Sequence, residues 1–177
     1  MYRPGELVQC DLWEPRLPIP VGYGQTRRGW AVTAQVCWSR VIASALVFSK
    51  ESADILWGLG RCLWRIGALP ERLVWDREAA IAAGGRPSDT FASFCGQLGV
   101  GWVILEAGDA QAKGVVERSH RYLRTSFLPG RRFANELDFQ AQLDAWCDKA
   151  NARTRRTAAS SRPSGSARSV SRCAHCR

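Results

Sequence analysis

WAVTAQVCWSRVIASALVF, residues 30–48, contains two apolar runs rich in β-branched and small residues, parted only by Ser39-Arg40. Two runs of strand length with so short a break predict an antiparallel hairpin. Upstream, LVQCDLW (residues 7–13) is dense in β-formers and alternates imperfectly, so it predicts another strand. The three together make a meander. Between them, residues 14–28 carry Pro15, Pro18, Pro20, Gly22 and Gly24, a composition expected of a loop or wide turn.

Beyond residue 48 the hydrophobic period lengthens. Ser52 is expected to cap a helix from about Ala53 to Ile66, with Ile55, Leu56, Leu59, Leu63 and Ile66 on one face. Pro70 ends that region, and Leu73-Val74-Trp75 is a short buried strand stopping at Asp76. Ser88 or Asp89 caps a helix carrying Phe91, Phe94, Cys95 and Leu98, and Gly101–Leu105 is a fifth strand. A helix is expected from about Lys113 to Phe127, broken by Pro129-Gly130, and a last one starts at Asn135 with Leu137, Phe139, Leu143 and Trp146 inward. The order β-β-β-α-β-α-β-α-α predicts an α/β domain. Its mixed five-stranded sheet joins a three-stranded antiparallel meander to two further strands, with helices on both faces.

Composition sets the boundaries. The chain has 177 residues and no apolar tract long enough for a membrane span, and its first residues lack a secretory signal, so a soluble intracellular protein is expected. Of 25 basic residues, seven arginines lie in 151–177 among no acids, leaving 18 basic against 16 acidic side chains in residues 1–150. The expected division is therefore a folded core, 1–150, and a basic Arg/Ser/Ala tail, 151–177, too poor in apolar residues to offset its ordering entropy. Five of the seven cysteines sit in apolar runs, where a free thiol behaves as a small hydrophobe. Cys173-Ala174-His175-Cys176 is half a zinc knuckle with no second ligand pair.

Three acids stand where strand ends and a helix can bring them together. Asp11 lies in the first strand, Asp76 follows the fourth, and Glu117 rides the helix after the fifth. Most surface acids are merely solvated, capping or ion-paired. Asp11 between Cys10 and Leu12, and Asp76 after Leu-Val-Trp, are in apolar company that makes a bare carboxylate costly. Carboxylates sharing a cleft repel one another, and a hard divalent cation such as Mg²⁺ or Mn²⁺ relieves that repulsion. Lys113, Glu117, Arg121 and Arg124 fall on one helical face. That face reads either as a salt-bridged solvent surface or as an acid at a metal, flanked by cations that grip phosphates.

These residues resemble a known family. Asp11 on the first strand, Trp75-Asp76 after the fourth, and Ala112-Lys113-Gly114-Val115-Val116-Glu117 on a helix are similar to the Asp-Asp-Glu catalytic core of retroviral-integrase-like transposases. There are 64 residues between the aspartates and 40 before the glutamate. Leu7–Trp13 and Thr125–Arg131 look closest to the large, IstA-type transposase of bacterial insertion sequences. The resemblance covers roughly residues 2–153. It implies a ribonuclease H-like fold, with Asp11, Asp76 and Glu117 holding two Mg²⁺ (or Mn²⁺) ions about 3.5–4 Å apart. It also implies DNA end cleavage followed by attack of the freed 3′-hydroxyl on target DNA, with Lys113, Arg121 and Arg124 positioning phosphates. His120, at i+3 from Glu117, flanks the site or serves as a structural histidine. DNA (element ends and target), a second copy of the chain and an ATP-binding helper protein are the implied partners, and a bacterial cytoplasm, at the nucleoid when DNA-bound, is the implied location.

Departures from the pattern carry their own expectations. Arg77 stands where relatives have Gly or Asn, and is expected to pair with Asp76 or Glu78 and weaken metal binding; Asp109-Ala110 lacks the usual Pro. Relatives begin with helix-turn-helix segments and continue past the core, so a remnant truncated at both ends, with a frameshift near codon 153, is expected. The alternatives are a non-catalytic DNA-binding or dimerising remnant, and a ribonuclease H-like nuclease without strand transfer.

Overall fold

A computed structural model of the chain describes residues 2–105 and 122–160. Its main sheet has five strands: β1 (Leu7–Trp13), β4 (Trp30–Val36), β5 (Ile42–Val47), β6 (Arg72–Trp75) and β7 (Gly101–Ile104). The spatial order is β5-β4-β1-β6-β7. β5, β4 and β1 are antiparallel neighbours; β1, β6 and β7 run parallel. The predicted meander and the two added strands are thus present.

Residues 14–28 are more ordered than their prolines and glycines suggest. β2 (Ile19–Gly22) and β3 (Gln25–Arg27) form a separate two-stranded sheet, with Tyr23 and Gly24 in left-handed conformations at its tip. Positive φ at both central residues matches the right-handed twist of a hairpin. Ile19 is fully buried and anchors this ribbon to the core.

Helices cover both faces. On one side, α1 (Ser52–Ile66) lays Ile55, Leu59, Cys62 and Leu63 against Val8, Cys10, Val32 and Val47. The short α2 (Ala79–Ala82) and α3 (Asp89–Leu98) complete that layer through Ile81, Phe91 and Cys95. On the other side, α4 (Glu136–Ser160) packs Phe139, Leu143, Trp146 and Cys147 over Trp13, Ala31, Ile42 and Leu46. The layers are tied round the β5 edge by an ion-pair chain: Arg61 and Arg65 of α1 reach Asp144 at 2.8 and 3.3 Å, and Arg65 reaches Asp148 at 2.9 Å.

Helix ends follow capping chemistry, with one correction. Ser88 caps α3 by accepting from the Phe91 N–H, and Asn135 caps α4 by accepting from the Asp138 N–H at 2.8 Å. Ser52 is instead the first residue of α1, and Glu51 takes the cap position without a side-chain bond. The Ser52 hydroxyl is committed elsewhere: it donates to the Ala80 carbonyl at 2.7 Å, which Ser88 Oγ also approaches at 3.2 Å. The helix expected to end at Phe127 is seen over its last turns only, and Leu123–Phe127 is π-helical, with Leu123 and Phe127 both fully buried against α4. α4 runs on past residues 150 and 153 to Ser160, so the backbone does not break where the composition changes.

Candidate active site

The parallel pairing of β1 with β6 determines where the two aspartates stand. The strands are in register through Leu7↔Arg72, Val8↔Leu73, Gln9↔Val74 and Cys10↔Trp75. Asp11 and Asp76 are each the next residue beyond that last pair. They therefore lie side by side just beyond the paired part of two strands spaced by about 4.8 Å, Asp11 within β1 and Asp76 directly after β6. Side chains alternate along a strand. Val8 and Cys10 point into the α1 layer, so Asp11 and Trp13 turn towards α4. Past Trp75, which packs in the α1 layer, the same alternation carries Asp76 to the side of Asp11. Both residues are partly exposed. Each carboxylate is oriented by the backbone that follows it: Asp11 Oδ1 accepts from the Leu12 N–H at 2.7 Å, and Asp76 Oδ1 from the Arg77 N–H at 2.8 Å.

A polar row extends from Asp11 into the sheet. Its β4 partner is Thr33, whose β5 partner is Ser44, and the two hydroxyls lie 2.9 Å apart. Both are buried, and Ser44 Oγ also donates to the Val32 carbonyl at 3.1 Å. The sequence holds part of the signal for this row, since Thr33 and Ser44 are hydroxyls within apolar runs, but their cross-strand register is set only by the fold.

The third strand end is drawn to the same edge. The Leu105 N–H donates to the Trp75 carbonyl at 2.9 Å, and Arg77 Nε donates to the Leu105 carbonyl at 3.4 Å. The Arg77 guanidinium lies over Gly85, at 3.5 Å from where a Cβ would stand. Glu78 pairs with Lys50 at 3.6 Å, so the expected Arg77–Glu78 pairing is not formed. Of the remaining predicted site residues, Arg124 is exposed on the π-helical turn. Lys113, Glu117, His120 and Arg121 lie outside the described residues. Among the described residues, no three His, Cys, Asp or Glu side chains gather as a metal site.

A five-stranded mixed sheet in this order, with helices on both faces and two acids just beyond the last β1–β6 pair, can be compared with solved structures. The chain superimposes on the simian T-cell lymphotropic virus intasome, determined in complex with PP2A regulatory subunit B56 gamma, with a TM-score of 0.57 and 17% identity. The match covers 77% of this chain but only 47% of that longer one. The catalytic core domain of BIV integrase matches with a TM-score of 0.52 and 15% identity, over 83% of this chain and 81% of that one.

The fold is that of an integrase catalytic core. No protein-family model matches the sequence, and no curated protein matches it. In the integrase-core fold of this chain, Asp11 and Asp76 stand just beyond the last paired residues of β1 with β6, Cys10 and Trp75. A cavity of about 660 Å³ lies elsewhere, where Trp57, Arg61, Leu137 and Asp144 line the gap between α1 and α4 beside β5.

Proposed function

We propose that the chain is the catalytic core of an Asp-Asp-Glu transposase, of the IstA type found in bacterial insertion sequences, that cuts and joins DNA. The observation that carries this reading is the placement of Asp11 and Asp76, each next after the last β1–β6 pair, in a sheet with the integrase-core fold. Two partly exposed carboxylates on neighbouring parallel segments supply the oxygen donors that a hard divalent cation takes. The donor set therefore fits Mg²⁺ or Mn²⁺, with Glu117 as the third ligand.

When bound, a pair of such ions supplies an activated water or DNA 3′-hydroxyl and stabilises the departing oxygen. The residues of the chain then have separable tasks. Asp11 and Asp76 hold their oxygens fixed through the Leu12 and Arg77 amides. Lys113, Arg121 and Arg124 grip phosphates on either side of the reacting one. No side chain acts as a nucleophile, and no protein–DNA covalent intermediate forms. The chain is expected to act on DNA element ends and target as a homo-oligomer, with an ATP-binding helper, in a bacterial cytoplasm. No helix among the described residues is long and apolar enough to cross a membrane.

The test is Mn²⁺-dependent cleavage and joining of a branched DNA substrate by the purified chain, with Asp76→Asn beside it. Cleavage that falls to background in Asp76→Asn, with an unchanged circular dichroism spectrum, is the expected result. A folded wild-type chain that binds DNA yet shows no metal-dependent cleavage replaces this reading with that of a non-catalytic DNA-binding remnant.

A further inference from the structure

The β2–β3 ribbon leaves the sheet at the C-terminal end of β1, the end that carries Asp11. Ile19 anchors it in the α4-side core, so ribbon and aspartate share both an edge and a face. Glu14 is three residues along the chain from Asp11, about 10 Å in extended backbone. Between the ribbon and the segment leading into it is a cleft of about 350 Å³, lined by Glu14, Arg16, Leu17, Thr26, Arg27 and Arg28 together with Pro18. Three guanidinium groups and one carboxylate thus surround one small opening.

The arginines are held in different ways. Arg28 makes a two-point bond to Glu14, at 2.6 and 2.8 Å, and that hydrogen bond, with the accompanying charge, holds the Glu14 carboxyl below its ordinary range. Arg27 is braced over the Phe48 ring, 4.7 Å from its centroid. Arg16 is exposed on a left-handed backbone with φ of 57°. After the Glu14–Arg28 pair is discounted, the cleft keeps two positive charges on a ribbon with an anchored base.

We propose that this cleft binds the phosphate backbone of duplex DNA a few nucleotides from the reacting phosphate, with Arg16 and Arg27 as the phosphate ligands and the Glu14–Arg28 pair limiting the grip. Guanidinium forks match phosphate oxygens in geometry as well as charge. A site whose lining begins three residues along the chain from Asp11 sets the register of DNA across the edge without reading its sequence. The inference rests on the reading of Asp11 and Asp76 as a DNA-processing site.

The experiment measures affinity of the full chain for a duplex oligonucleotide at several salt concentrations. Each neutralised phosphate contributes a slope of about −0.9 to log K against log salt. In Arg16→Gln/Arg27→Gln the slope is expected to become shallower by about two, with the melting temperature unchanged. The lysine pair, Arg16→Lys/Arg27→Lys, keeps the wild-type slope. Glu14→Gln is expected to tighten binding and steepen the slope by about one, because Arg28 is released. An unchanged slope in both glutamine variants overturns the assignment of the cleft, whether or not the chain cleaves DNA. Shifted slopes in a chain without metal-dependent cleavage uphold the cleft and overturn only the catalytic reading. A chain that binds no DNA overturns both.

Discussion

At Gly58, α1 lies tight against the sheet. A Cβ there would meet Val32 Cγ2 at 2.9 Å and Val32 Cβ and Val47 Cγ1 at 3.1 Å. These are stiff β-branched neighbours, so the contact cannot be relieved by swinging a chain end aside. Two effects compete in Gly58→Ala: alanine gains about 1 kcal/mol of helix propensity, while overpacking costs about 1–3 kcal/mol. Overpacking is expected to win by about 1 kcal/mol, read as a lower urea midpoint at constant m-value. The five described cysteines offer a different residue-level test. All are free and buried, and burial raises their thiols: Cys95 to about 11 and Cys147 to about 12. A thiol whose folded value lies above its unfolded one, about 8.5, adds stability that is complete below that unfolded value and is lost as pH climbs through the folded one. Alkaline unfolding between about pH 9 and 12 is expected. Iodoacetamide at pH 8 should leave these five unmodified until the chain is denatured, as peptide mass spectrometry would reveal.

At the scale of elements, α4 does more than cover a face. Its Gln140 side chain accepts from the Leu46 N–H at 2.7 Å and donates to the Ser44 carbonyl at 3.1 Å. Its Asn151 side chain accepts from the Ile42 N–H at 2.8 Å and donates to the Ile42 carbonyl at 2.9 Å. Alternate residues of the edge strand thus find their missing partners on a helix. Asn151→Ala is expected to lower stability by about 1–3 kcal/mol, since it strands backbone groups of the buried Ile42. A chain ending at residue 150 should melt lower than one ending at residue 160, in differential scanning calorimetry. That boundary was not legible in the sequence: residues 151–160 lack an apolar period, and nothing marks Asn151 as a long-range partner. Strands β1, β4, β5 and β6 were legible because their apolar runs are bounded by turn residues or by Asp76. The β2–β3 ribbon was not, because three prolines and two glycines mask its four- and three-residue strands. Ser52 was misread as a cap because a hydroxyl's choice between its own helix and Ala80 is made by tertiary packing.

At the scale of the whole molecule, two cores share one sheet and α1 and α4 meet round its β5 edge. The Arg61–Asp144–Arg65–Asp148 chain bridges them. Asp144 is well covered and serves two arginines, so Asp144→Ala is expected to cost about 1 kcal/mol or somewhat more, shrinking in high salt as exposed portions are screened. Of the candidate site, Asp11 was legible as an acid inside an apolar strand and Asp76 as one closing another, and the parallel register of β1 with β6 supplies what a sequence lacks, their adjacency. The amide clasp on β5 has a further consequence in time. Ile42 and Asn151 are 109 residues apart, and a ribosome adding roughly 5–20 residues per second needs on the order of ten seconds to cover that distance. For that interval the emerging chain exposes an unclasped strand edge, open to pairing with a neighbour on the same message, until α4 leaves the exit tunnel and closes it.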